Sequence, residues 1–538
     1  MTVTPIPTPS VRTGLSATVR EPPARAASSA ATASSPAIES SPEAAPSPSP
    51  SLSTLPSSAP SAPPGPVDPQ RAQAARRAQH EAGLVRAATL SAPSRQQPLF
   101  QATPAPGTTV AGRFFPENTV PMTSVLLNAA TLRNDGLHPG FIARAALQAN
   151  PAVQFIVPTQ ARYASADDPR FVAERTRIAA ALGVPADRVV PVRADMAAWP
   201  QDELLAGPGG LLKPTAPGAT SSTWRNTRSG AAARGTEHWT TAQRTRFGAD
   251  DVAAELGLPV QRSNTVARGG DTHVIARPDG RPAAFFGPET VAFTARAHGI
   301  DTSTEAGFLR ALGTTMRGLR DDGVDLKDIA PLGHGKRTYG DALAALSPTE
   351  RSAIHPDVLA RFEEMAGLPL PQTAFRYHTD LTALTADGQT MFVNESDAVR
   401  HPVLEQQLRF FGFEPRRLPS PGVVPDRTPG EDRIDGATVE GPVATSYLNA
   451  VTGRDPDGRT VVLMPTQALD PTRLTDADVR ARDALQAALP EARIIPIGGR
   501  SALLGFTRMG DGHVLERDWG SHCLSNVLPY VIAPQPAR

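Results

Sequence analysis

Apolar positions are spread unevenly along the chain, and their period changes with position. From about Gln97 onward, short runs rich in Val, Ile and Phe alternate with stretches whose apolar residues recur every third or fourth position. Runs of the first kind read as strands and stretches of the second as amphipathic helices, so the pattern predicts an α/β domain over 97–538. One pairing is informative. Phe155-Ile156-Val157-Pro158-Thr159-Gln160-Ala161 leads to a helix opened by Asp168-Pro169 and stopped by Gly183, then to the strand Val189-Val190-Pro191-Val192. Much later, Val462-Leu463-Met464-Pro465-Thr466-Gln467-Ala468 leads to a helix with a Thr475 to Asp478 capping box, then to Ile494-Ile495-Pro496-Ile497. Strand, Pro-Thr-Gln-Ala turn, helix and strand occur twice, which predicts repeated β/α units rather than one doubly wound sheet.

Two long stretches interrupt this pattern. Gly207 to about Gly248 is rich in Gly, Thr, Ser and Arg and too long for an ordinary connection, so it is a candidate active-site or substrate-docking loop. Its Arg225, Arg228, Arg234 and Arg244 are candidates to bind the substrate backbone, against the plainer reading of solvated loop arginines. About 301–368 reads as a helical insertion, with Phe308, Leu309, Leu312 and Met316 on one side of a helix from Glu305 to Leu319. Ahead of the α/β region the apolar pattern disappears. Residues 1–67 are dominated by Ser, Pro, Ala and Thr and cannot bury enough apolar surface to offset chain entropy, so a disordered tail is expected. Asp68-Pro69 then opens an exposed basic helix and linker over 68–96, whose Arg71, Arg76 and Arg77 form a solvated face or, alternatively, bind a partner or chaperone.

Composition removes several classes of function. Lys plus Arg equals Asp plus Glu at 53 each, so no global field draws the chain to nucleic acid or to an anionic membrane, and neither is expected as a partner. No run of about 18 apolar residues exists, and Met1 to Arg20 lacks the apolar segment of a secretory signal peptide. A single cysteine, Cys523, excludes an internal disulfide framework and a cysteine-rich zinc site. What remains is chemistry of one thiol, suited to a reducing compartment.

Three stretches carry candidate chemistry. Asp518-Trp519-Gly520-Ser521-His522-Cys523 sets the lone thiol in a polar, Gly-flanked context that favours a nucleophile over an inert buried hydrophobe. Tyr377-His378-Thr379-Asp380-Leu381 has strand character, and the period of two would point His378 and Asp380 to one side as acid/base and carboxylate. Trp199-Pro200-Gln201-Asp202-Glu203 reads as a helix start or exposed turn. Opposite a planar cation, however, Asp202 would bind by paired hydrogen bonds and Trp199 would form an attracting wall.

Together these stretches resemble, in order, motifs of the guanidino-group-modifying enzymes: arginine, agmatine and protein-arginine deiminases and amidinotransferases. The Gln201-Asp202-Glu203 form is most similar to protein-arginine deiminases. The resemblance covers roughly 97–537 and implies a five-bladed α/β propeller (pentein) of repeated β/α units, which would also account for the internal repeat. It implies that Asp202 and Asp380 grip the guanidinium, Cys523 attacks its central carbon, and His378 protonates the departing amine and then activates water. His522 would face away from the site in an extended segment and is left out of the catalytic set. Arg268 stands before Gly269-Gly270-Asp271 where the family often has an acid, leaving Asp271 or Glu289 to take its part. Leu205 is apolar where the calcium-dependent members carry another acid, so neither calcium nor any other metal or cofactor is expected.

The implied reaction is hydrolytic deimination of arginine, with protein-bound arginine preferred. An amidinotransferase sharing the same covalent intermediate and an inactive binding module are the alternatives, and a cysteine protease is disfavoured because no papain-like surround of Cys523 is visible. The first twenty residues, rich in Thr, Ser and Pro with no acid before Glu21, resemble the leaders of bacterial type III secreted effectors. That resemblance implies export to a host cytosol, with a host target protein and a secretion chaperone as partners.

Overall fold

The computed structural model describes residues 98–127, 137–159, 163, 165–194, 205–214, 248–263, 270–375, 379–420, 432–434, 437–439, 446–468, 470–498, 505–508, 514–518 and 525–535. The chain divides into Met1–Asp68 and Pro69–Arg538, and every described residue belongs to the second part. The tail, the basic helix with Arg71, Arg76 and Arg77, and the loop arginines Arg225, Arg228, Arg234 and Arg244 lie outside the described residues.

The architecture is mixed α/β, built from several small sheets rather than one large one. Five of these sheets share a pattern: a central strand pairs antiparallel with one neighbour and parallel with the next, with helix in the parallel crossover. In the first, Ser124–Leu127 pairs antiparallel with Ser525–Leu528 and parallel with Gln154–Thr159, which pairs parallel with Val189–Arg193. In the second, Leu205–Gly207 and Gly210–Pro214 form a hairpin, and Gly210–Pro214 pairs parallel with Val260–Ser263. Thr272–Ala276, Pro282–Phe286 and Ile329–Pro331 make the third. Ala383–Leu384, Thr390–Asn394 and Glu414–Leu418 make the fourth, and Val451–Arg454, Thr460–Pro465 and Arg493–Ile497 the fifth. Outside these five, Phe100–Pro104 pairs antiparallel with Tyr530–Pro534.

Local chemistry explains the boundaries. Pro169–Leu182 starts where Asp168 accepts the Arg170 amide and ends at Gly183, whose φ of 68° is the left-handed geometry glycine adopts most easily. Asp476–Ala488 starts at a capping box between Thr475 and Asp478. Both repeated strand-helix-strand units are therefore present, and they share a core in which Phe155, Val157 and Val189 pack with Val461, Leu463 and Ile495. The stretch expected as a long loop from Gly207 instead begins with a hairpin: Gly210 has a φ of 113° and a Cβ there would collide with the Pro259 carbonyl, so the tight turn requires glycine. Residues 215–247 lie outside the description.

Region 301–368 is helical over Glu305–Asp321, Tyr339–Ala345, Pro348–Ser352 and Pro356–Glu364, but it also holds the strand Ile329–Pro331 of the third sheet. Glu305–Asp321 thus lies within a sheet crossover. Phe308, Leu309, Leu312 and Met316 are buried on its inner face, each contributing about 2 kcal/mol by leaving water. Among the described residues no helix is long and apolar enough to cross a membrane.

Candidate functional site

Of the five expected site residues, only Asp380 is described; Trp199, Asp202, His378 and Cys523 lie outside the described residues, as do Glu203, Arg268, Gly269 and His522. The surroundings of Asp380 correct one expectation. Thr379–Leu381 is a 3-10 turn rather than strand, so the period-two argument for His378 and Asp380 does not apply. The physical reason is tertiary. The Asp380 amide donates to the Gly270 carbonyl at 3.2 Å, and Thr382 N closes the turn on Thr379 O at 2.9 Å. Asn394 Nδ2 and Ser446 Oγ both donate to the Leu381 carbonyl, at 3.0 and 3.2 Å. Side chains and a distant loop satisfy backbone groups that a neighbouring strand would otherwise have taken.

Asp271 anchors the same turn. The Thr379 hydroxyl lies 2.7 Å from Asp271 Oδ1 and 2.8 Å from its carbonyl oxygen, and Thr290 donates both its amide and its hydroxyl to Oδ2. A Cβ at Gly287 would collide with this carboxylate, so the glycine is needed for Asp271 to fit. Of the two acids expected to take the part of an acid at position 268, Asp271 therefore touches the turn that carries Asp380. Glu289 is buried in the first turn of Pro288–Ala297.

Asp380 itself is 2 % exposed, and Asn449 Nδ2 donates to its Oδ2 at 2.8 Å. A buried carboxylate needs such a donor to offset its loss of hydration. Asp380 lines a cavity of about 10 Å³ with Glu117, His273, Leu384 and Leu448. Glu117 also lines a second cavity of about 20 Å³, with Leu205, Ala206 and Asn526. Each has room for about one water. Leu205 stands three residues beyond Asp202, Asp380 two beyond His378, and Asn526 three beyond Cys523. Segments adjoining all three expected motifs thus line two cavities that share Glu117.

Sequence reasoning did not single out Glu117, His273, Asn449 or Asn526. Glu117 and His273 come together because Asn118 exchanges two hydrogen bonds with the Ala276 backbone, at 2.8 and 2.9 Å, locking Glu117–Thr119 against Thr272–Ala276. His273 Nδ1 then lies 2.9 Å from Glu117 Oε2, and its ring stacks on Phe285 at 4.6 Å. A histidine two residues past Gly269-Gly270-Asp271 was the available signal, too common to act on. Among the described residues no group of three or more His, Cys, Asp and Glu side chains could hold a metal ion.

No protein-family model and no curated protein matches the sequence. Solved structures do. A substrate-bound variant of agmatine deiminase from C. jejuni matches at 13% identity over 76% of this chain and 96% of that one, with a TM-score of 0.41. Agmatine deiminase of Enterococcus faecalis matches at 13% identity, covering 78% of this chain and 96% of the other, with a TM-score of 0.43. A third, provisionally assigned as a peptidyl-arginine deiminase, matches at 12% identity over 80% and 98% of the two chains, with a TM-score of 0.40.

Proposed function

We propose that the chain is a guanidino-group-modifying enzyme that hydrolytically deiminates arginine, with arginine inside a protein as the preferred substrate. The observation that carries this reading is the convergence on Glu117: Asp380, from one expected motif, and Leu205 and Asn526, each two or three residues beyond another, line adjoining cavities although they are scattered over more than 300 residues of chain. Asp380, buried and hydrogen-bonded, has the character needed to grip a guanidinium.

The chemistry follows from the substrate. A guanidinium carbon is a poor electrophile because its charge is delocalised, so two carboxylates, Asp202 and Asp380, orient it while the Cys523 thiolate attacks. The carbon–nitrogen bond breaks as His378 protonates the departing ammonia. Water activated by His378 then adds to the thiouronium carbon, and the thiolate leaves to give citrulline. The free thiol titrates near ~8.5, and the bound cation favours its ionised form.

The five like sheets are proposed as the blades of an α/β propeller. Ring closure is supported by Ser525–Leu528, which joins the first sheet from the far end of the chain. The preference for protein-bound arginine rests on the Gln201-Asp202-Glu203 form and on the Ser/Pro-rich N-terminus, read as an export signal towards a host cytosol. A reporter fused to residues 1–100 is expected to show type III dependent translocation; its retention in the bacterium removes the export proposal.

The deciding experiment supplies arginine peptides, free arginine and agmatine to wild type and to Cys523→Ala, and measures ureido product and ammonia. Ammonia and citrulline from peptides, absent with Cys523→Ala, are the expected result. Amidino transfer to an added amine without ammonia would instead make the enzyme an amidinotransferase, and equal or faster turnover of free arginine would remove the protein preference.

A further inference from the structure

We infer that Asn449 is a positioning residue for the reaction, fixing the carboxylate of Asp380 in the plane and charge state that a guanidinium requires. The assignment rests on the deiminase reading above. Asn449 is fully buried, where an amide is costly unless its hydrogen bonds are made, and it donates to Asp380 Oδ2 at 2.8 Å. A donor aimed at the ionised oxygen favours the charged form and sets the direction in which the carboxylate faces.

The loop that carries Asn449 is itself anchored on both sides. Ser446 Oγ accepts the Leu448 amide at 3.1 Å and lies 3.1 Å from Asn394 Nδ2, which also donates to the Leu381 carbonyl of the Asp380 turn. Tyr447 is buried, and its hydroxyl donates to Asp478 Oδ1 at 2.9 Å. Burial and the neighbouring Asp478 carboxylate both push the Tyr447 phenol up, so it remains a donor. Asp478 in turn accepts the amides of Gln467, Ala468 and Thr475. Asn449 therefore reaches Asp380 from a loop pinned to the fourth and fifth sheets, the kind of support that keeps a functional carboxylate within a fraction of an ångström of its working place. Among the described residues, Glu117 and His273 line the same cavity as Asp380, and Asp271 holds the turn that carries it, so these are the titratable groups on the neighbouring elements.

The test compares full-length wild type, Asn449→Ala, Asn449→Ser and Asn449→Asp in the arginine-peptide assay across pH, with thermal unfolding measured on each. Asn449→Ala is expected to lower kcat/KM about ten- to a hundredfold and to move the acid limb of the profile about one pH unit upward, because the carboxylate has lost a donor to its charged form. Asn449→Ser, which keeps a hydroxyl donor, recovers part of both. Asn449→Asp, of nearly the same size, moves the limb further because a second carboxylate opposes ionisation. An unchanged acid limb in the Ala and Asp variants, or an activity loss that follows only the folded fraction, overturns the assignment in favour of a structural asparagine. Wild type inactive on every guanidino substrate defeats the deiminase reading and this assignment with it. An active wild type with indifferent Asn449 variants defeats this assignment alone.

Discussion

The strand-helix-strand units at 154–193 and 460–497 look alike in sequence and in backbone, and they differ in what the acid at the start of the helix does. In the first unit, Asp168 caps its helix by accepting the Arg170 amide and pairs with the Arg170 guanidinium, whose side chain is 70% exposed. The end of the strand is tied to the helix through Thr159, whose hydroxyl donates to Glu174 Oε1 at 2.8 Å. In the second unit, Asp478 is fully buried and takes hydrogen bonds from Thr475, Gln467, Ala468 and Tyr447. Tyr447 belongs to the loop that brings Asn449 to Asp380. One motif is thus used to start a helix beside an exposed arginine and again to buttress the buried loop that reaches Asp380. A shared strand-turn-helix pattern sets geometry, while the neighbours met in three dimensions decide whether the cap is worth little or much.

That contrast can be broken by substitution. The largest effect is expected from Asp478→Ala, which strands several buried donors and should cost about 4 kcal/mol in denaturant unfolding, with a fall in peptide deimination beyond the loss of folded protein. Tyr447→Phe removes one bond to a charged acceptor and should cost about 1.5 kcal/mol, with a smaller fall in kcat/KM. Asp168→Ala should cost about 1 kcal/mol, the ordinary value of a helix cap, with kcat/KM unchanged. Thr159→Val should cost about 0.5 kcal/mol by the same measurement. Were Asp168→Ala as damaging as Asp478→Ala, or were activity to fall in the first unit and not in the second, the difference between the two units would be lost.

Much of the fold was legible because its signals are local. The Asp168-Pro169 start, the Gly183 stop, the Thr475 to Asp478 capping box and the buried stripe of Phe308, Leu309, Leu312 and Met316 each depend on residues a few positions apart. The exceptions were also informative. Tyr377 to Leu381 reads as strand by composition, yet Thr379–Leu381 turns because Gly270, Asp271, Asn394 and Ser446 take its hydrogen bonds from up to about a hundred residues away. Gly207 reads as the start of a loop, yet the glycines after it allow a hairpin closed against Pro259. Asp380 was a candidate from its motif, whereas Glu117, His273 and Asn449, which the structure places beside it, were not, since nothing in their own neighbourhoods sets them apart.

By itself the sequence determined the alternation of strand and helix, the repeat of the Pro-Thr-Gln-Ala unit and the candidate chemistry of one thiol, one His-x-Asp pair and one Trp-x-Gln-Asp stretch. Period, capping and composition act over a few residues and survive in any context. Only the tertiary structure decided that Asp380 is buried against Asn449, that Asp271 holds its turn, and that Glu117 stands where the segments after the three motifs meet. Those facts depend on hydrogen bonds and desolvation between groups far apart in the chain, which exist only once the sheets have assembled around them.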